Sequence, residues 1–321
     1  VEGVGSGRGF SLHDITNVTI KKINIKAFYY GVHFNLTTLS SIQESNITQN
    51  SYDGIRLLQS SGNTISQNNI TNNGNDGIKV MNSSNTNIIY ENGVTANNDD
   101  GIQVNNCSNN NINGNDIITN NDIGIYILSS SNNSVSGNNI TNNRYGIEVS
   151  SSSRNSISGN SIVANSWYGV WLDSSVSNNI NGNNITNNYD GVYVYECSNN
   201  FISGNNITEN NEYGIWLFFG SNNSIDGNTL ISNNDAGVYI RLSSRNKLSE
   251  NNVANNSNGI WLSSSSNNTI SRNNVANNNN GVKLLFGSSN NDLQHNNFVN
   301  NTQQAEVDTG YANSWDDSLE G

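Results

Sequence analysis

Residues 146–168 read "GIEVSSSSRNSISGNSIVANSWY", and the fold turns on how the apolar residues in this stretch are spaced. Ile147 and Val149 alternate with polar neighbours after Gly146. Ile157 and Ile162 then each sit in a run of two or three residues bounded by Ser, Asn or Gly. Alternation at period two, cut short by turn residues, describes short strands separated by bends. No segment holds apolar residues at helical spacing, and Gly, Asn and Ser are poor helix formers.

The same phrase recurs on both sides of Gly146. A Gly opening a "G-[IVF]-x-[VILF]" strand stands at 9, 31, 54, 77, 101, 124, 146, 169, 191, 214, 237, 259 and 281, at intervals of 22 to 24 residues. Repeats of this length indicate a stacked architecture. A three-residue strand cannot persist alone, but units stacked in parallel pair each backbone group with the unit before and the unit after. The expected fold is all-β, a right-handed parallel β-helix (solenoid) of about 13 coils with three short strands each, rising roughly 4.8 Å per coil. It occupies residues 1–301 and leaves 302–321 as a non-repeat C-terminal tail.

A second column fixes the register. Asn68, Asn92, Asn115, Asn138, Asn160, Asn183, Asn205, Asn228, Asn251, Asn273 and Asn296 each precede a third-strand apolar residue by two positions, with Ser45 and Ile23 in their place in the first two coils. Side-chain amides stacked at strand spacing hydrogen-bond along the axis, and Asn tolerates the left-handed bend that a corner requires. These residues are expected to be structural. Cys107 and Cys197 fall six residues after an anchor Gly, where other coils carry Ser. Four coils apart, roughly 19 Å by the strand spacing, they lie beyond disulfide reach and are expected as small buried thiols.

Composition narrows the function. The chain has 321 residues, of which 74 are Asn and none is Pro, with 12% charged residues and a net charge of −12. No basic stripe exists to displace counterions from phosphates, which excludes nucleic acid as a partner. No run of 18 apolar residues is present, so no membrane span is expected in this segment. The chain begins with Val, and no charged n-region followed by an apolar stretch is found, so a targeting signal is either absent or already removed.

The phrases "NNSVSGNNITNNRYGIEV" at 132–149 and "NNINGNNITNNYDGVYV" at 178–194 resemble the β-helix repeats of NosD-like proteins, the so-called periplasmic copper-binding type, within the pectin-lyase-like superfamily. The resemblance covers roughly residues 9–301. It implies a secreted, cell-surface or periplasmic protein, and it makes "NNTQQAEVDTGYANSWDDSLEG" similar to the region where family members leave the helix and continue into further chain. Copper, which the family name implies, prefers clustered His, Cys and Met. One Met and three scattered His offer no such cluster, so no metal site of that kind is expected.

The superfamily also implies polysaccharide lyases, hydrolases or epimerases, with Asp pairs near a His and a basic residue, or acidic Ca²⁺ ligands beside an Arg or Lys base. "NNDDGI" at 97–102 is similar to the paired-Asp motif, and Asp53, Asp76 and Asp100 precede the anchor Gly in three consecutive coils, with Arg56 and Lys79 on the following strands. Carboxylates at coil spacing raise one another's pKa or hold Ca²⁺ through oxygen. The catalytic candidates are Asp76, Asp99, Asp100 and Lys79, although Asp before Gly is also an ordinary turn residue, as at Asp190. Sequons of the "NNIT" type place potential glycosylation at Asn69, Asn139, Asn184 and Asn206, although the repeat generates such sequons by itself.

One feature asks for a partner. In the strand after each anchor Gly the third position faces outward by alternation. Read coil by coil, that position carries Tyr126 and then, in five consecutive coils, Trp171, Tyr193, Trp216, Tyr239 and Trp261, with Tyr168, Tyr195 and Phe218 alongside. A solvent-facing aromatic stripe suits stacking on a polysaccharide. It equally suits assembly with copies of itself or with other surface proteins, or a self-stabilising ladder without a ligand. The expected function is therefore a non-enzymatic structural, assembly or carbohydrate-binding module, with a pectin-lyase-like enzyme as the alternative.

Overall fold

The protein is described by a computed structural model over residues 1–316. It divides into two compact units, Val1–Ser166 and Trp167–Gly321. Every regular element among the described residues is a β-strand, and the two units together hold about 13 turns of a parallel β-solenoid.

In the first unit three parallel sheets contain seven strands each. The first sheet runs from Arg8–His13 to Tyr145–Ser150, the second from Thr19–Lys21 to Ser156–Ser158, and the third from Asn24–Lys26 to Ser161–Val163. In the second unit the first sheet runs from Tyr168–Asp173 to Gln303–Val307, the second from Asn179–Asn181 to Ser314–Trp315, and the third from Asn184–Thr186 to Asn297–Val299. Register is like on like: Ile78 pairs with Ile102, Ile89 with Ile112 and Ile117 with Ile140. Ile147, Val149, Ile157 and Ile162 are fully buried. Four branched side chains per coil, worth about 1.5 to 3 kcal/mol each when buried, build the core.

The corners account for the asparagine. Within the first unit the backbone N–H of Asn115 donates to Asn138 Oδ1 at 3.0 Å, and its Nδ2 donates to the same oxygen at 2.9 Å and to the Ile89 carbonyl at 3.0 Å. Asn115 Oδ1 in turn accepts the Asn92 N–H at 3.0 Å, so each amide satisfies backbone groups of the preceding coil and bonds the side-chain amide of the next. The sequence shows one such ladder, but the structure has three. The other two pass through Asn110 and Asn133 and through Asn120 and Asn143, each joined at 2.9 Å. The anchor glycines are required by close approach. A Cβ on Gly124 would lie 2.6 Å from the Gly146 carbonyl oxygen and 2.6 Å from Ile140 Cγ2.

Two expectations are corrected. The left-handed backbone falls not on the ladder Asn but on the residue before it, as at Gln67 (φ 55°) and Glu91 (φ 53°), because the Asn side chain must turn inward to reach the next coil. Within 302–321, expected as a tail outside the repeat, the strands Gln303–Val307 and Ser314–Trp315 pair with the preceding coil, Ala305 with Val282 and Trp315 with Leu293, while 317–321 lie outside the described residues. The composition of this stretch departs from the repeat, but its backbone still finds a strand to pair with. Cys107 and Cys197 are free and buried. Burial pushes their thiols up to about 11 and about 12, which keeps them protonated and unreactive.

Asn115→Ala removes the acceptor of the buried Asn92 N–H, the side-chain donor to the Ile89 carbonyl and one donor to Asn138 Oδ1, at about 1 to 3 kcal/mol for each buried group left unsatisfied. It is expected to lower the unfolding free energy by about 3 kcal/mol or more, whereas Asn111→Ala, on the exposed side of the same coil, changes it by less than about 0.5 kcal/mol. Urea unfolding of the two variants checks this, and equal losses would contradict the ladder.

Candidate functional site

Coil stacking in the first unit gathers charge on the outer face of the first sheet. The residue before each anchor Gly and the residue three positions later meet as a pair: Arg56 Nη1 lies 3.3 Å from Asp53 Oδ2, Lys79 Nζ lies 2.8 Å from Asp76 Oδ2, and Gln103 Nε2 donates to Asp100 Oδ2 at 2.9 Å. Asp53, Asp76 and Asp100 are all buried. The half-buried Asp99 completes a group in which oxygens of Asp76, Asp99 and Asp100 lie within 4.8 Å of one another. The four catalytic candidates read from the sequence are therefore brought together.

Burial, reinforced by the Asp76 and Asp99 carboxylates, pushes Asp100 up to about 8, so it holds a proton at neutral pH. Burial works against the charge of Lys79, but the adjoining Asp76 carboxylate outweighs it and raises the Lys79 pKa. A divalent cation needs several free carboxylate oxygens. Here Asp76 Oδ2 is engaged by Lys79, while Asp100 accepts from Gln103 and, through Oδ1, from the Ile123 N–H at 3.1 Å. The sequence reading missed His33 and Tyr30. His33 is buried, with Nδ1 lacking a partner among the described residues, and its pKa is lowered to about 4 by burial and then by Arg8 and Arg56. Tyr30 Oη accepts from Arg56 Nη1 at 2.9 Å.

In the second unit the same outer face is aromatic. Register pairs Trp171 with Tyr193, Tyr193 with Trp216, Trp216 with Tyr239 and Tyr239 with Trp261. Ring centroids lie 4.5 Å apart for Tyr193–Trp216 and for Tyr239–Trp261, and Tyr168 closes on Tyr193 at 4.6 Å. Tyr195 packs on Phe218 at 5.7 Å. Tyr126 stands apart from this group by sequence register, between Gln103 and Glu148 in the first unit.

Alternation predicts a stripe open to solvent, and the structure corrects this. Tyr193 and Tyr239 are only 8% and 7% exposed, and Trp171, Trp216 and Trp261 are half-buried. Rings one strand spacing apart cover one another, and Tyr213, 5.0 Å from Tyr239, covers them from the side. The potential glycosylation residues lie on the outer face of the third sheet, with Asn69, Asn184 and Asn206 exposed and Asn139 half-buried.

Accessible apolar surface lies instead at the corner after these strands. Tyr239, Trp261 and Phe286 wall a groove of about 410 Å³, which Arg241, Leu242, Ser263 and Ser264 complete. Phe286 is 66% exposed and Leu242 43%. Both sit in left-handed backbone, at φ 55° and 49°, as does Phe219 at 53°. In most coils this corner carries Ser, Asn, Gln or Glu. A bulky side chain there is a conformational outlier, and that was the available sequence signal for the groove.

The sequence profile of the family described as right handed beta helix region matches residues 8–162 and 153–302. Among curated proteins no sequence match is found. The A-module of the mannuronan C-5 epimerase AlgE4 of Azotobacter vinelandii superposes with a TM-score of 0.64 at 12% identity, covering 88% of this chain and 90% of that one. The Dettilon tailspike protein gives 0.62 at 14% identity over 88% of this chain and 62% of its own, and the periplasmic alginate epimerase AlgG gives 0.60 at 15% over 92% and 78%. At such identities these likenesses show the fold alone. With its profile matched over nearly the whole length and its stacked parallel sheets, the chain belongs to the right-handed β-helix family.

Proposed function

We propose that this chain is a polysaccharide-binding β-helix acting outside the cytoplasm, and that the glycan seats in the groove of the second unit. The observation that carries this reading is the groove itself. Phe286, 66% exposed, offers an apolar ring beside the half-buried Trp261, and Arg241, Ser263 and Ser264 set polar groups around it. Apolar walls with a few convergent polar groups are the usual make-up of a ligand site. The corner strain supports it, since exposed bulky residues held in left-handed backbone signal a functional demand. The epimerases that share the fold are named for mannuronan and alginate, both polysaccharides, which accords with the reading.

Phe286→Ser and Arg241→Ala are expected to weaken retention in affinity electrophoresis on a polysaccharide panel about tenfold each, which corresponds to about 1.4 kcal/mol. Melting temperature should change by no more than a few degrees, because both residues are exposed. Undiminished retention of both variants would reject the groove. Loss of oligomers in light scattering, with no glycan retained by any form, would assign the same surface to self-assembly.

A second reading is carried by Asp100, a carboxyl held neutral near pH 7 beside Asp76 and the half-buried Asp99, as general acid–base chemistry on a polysaccharide requires. Under the primary reading, proton NMR of acidic polysaccharides incubated with the protein, with and without Ca²⁺, shows no cleaved, unsaturated or epimerised product. Turnover that Asp100→Asn abolishes would establish an enzyme of the lyase, hydrolase or epimerase type instead.

A further inference from the structure

Among the described residues, Asp190 is the buried carboxylate of its column that receives no side-chain donor. It opens the strand Asp190–Tyr195 and is completely buried. Its Oδ1 accepts the Tyr213 N–H at 2.9 Å, while its Oδ2 is enclosed and has no donor among the described residues. Asp53, Asp76 and Asp100 each receive a side-chain donor from the residue three positions on. The residue three positions after Asp190 is Tyr193, whose ring is committed to Trp216 at 4.5 Å and to Tyr168 at 4.6 Å.

Among the described residues the groups acting on Asp190 include no cation. The preceding coil presents Tyr168 and Asp173, the same coil Tyr189, Tyr193, Tyr195 and Glu196, and the following coil Glu212 and Tyr213, with Asp235 beyond. An ionised Asp190 would put an uncompensated charge into a low-dielectric stack of rings. We propose that Asp190 is a proton-operated switch of the aromatic ladder: protonated, it lets Tyr168, Tyr193 and Trp216 close on one another, and ionised, it admits water between them and loosens the stack.

Burial, with Glu212 adding to it and the Tyr213 N–H opposing, pushes the carboxyl from its ordinary 3.8 up to about 7. A folded-state value above the unfolded one gives stability that is full below pH 3.8 and is lost as pH rises toward 7. The second unit should therefore be tighter at pH 5 than at pH 8.

All five Trp of the chain lie at position 167 or later, so tryptophan fluorescence and the tryptophan bands of the near-ultraviolet dichroism report the second unit alone. On titration of the wild-type protein from pH 5 to 8.5, both signals should show one step with a midpoint near 7. Asp190→Asn should abolish the step and hold the tighter signal throughout. Asp100→Asn, in the first unit, should leave it untouched. Glu212→Gln should keep the amplitude and move the midpoint down, which tests the switch even if the Asp190 variant fails to fold. A wild-type signal flat across this range, or a step that persists in Asp190→Asn, overturns the proposal.

Discussion

The whole molecule rests on one hydrogen-bond arrangement, the asparagine amide that spans two coils at each corner. A strand of three residues exchanges too few backbone bonds to hold its register. The amides of residues such as Asn115 and Asn138 lock the coils where strand pairing stops, and they satisfy backbone groups that would otherwise be buried unpaired. Three interior ladders leave the outward positions free to vary. That division explains how a chain with 12% charged residues and no Pro keeps a single fold while its outer face changes character along the sequence.

Stacking at strand spacing dictates what the outer face becomes. Like charges in consecutive coils would repel, so the first unit alternates carboxylates with Arg56, Lys79 and Gln103, and where Asp76, Asp99 and Asp100 converge a proton is retained. Rings in consecutive coils attract, and Tyr193 and Tyr239 disappear beneath their neighbours. Lys283, with Nζ 5.5 Å from the Trp261 ring, ends the ladder with a cation over a π face. The same geometry yields a polar cluster in one unit and a ring stack in the other, and the surface left for recognition falls at the corner beside Trp261.

The fold was legible because its signals are local. Apolar residues alternate with polar ones at Ile147 and Val149, and the Gly spacing alone gives the stacking. Convergence of Asp76, Asp99, Asp100 and Lys79 was also legible, since stacking coils superimposes residues 22 to 24 apart. The accessibility of the aromatic stripe was not. Whether Tyr193 is open depends on rings in the coils on either side, Tyr168 and Trp216, and alternation within one strand is blind to them. The groove was hidden for a related reason: Leu242 and Phe286 sit at a position that ordinarily demands a small polar residue, so a pattern search discards them as noise. His33 and Asp190 show their missing partners only once three-dimensional neighbours are known.

Hydroxyl-radical footprinting in the presence and absence of a polysaccharide reads side-chain accessibility directly and tests the groove without altering a residue. Binding there predicts protection of Phe286, Leu242 and Trp261, with Tyr52 and Tyr90 of the first unit unchanged. Protection confined to the first unit around Tyr52, or none at the three groove residues under a polysaccharide that the protein demonstrably retains, would contradict it.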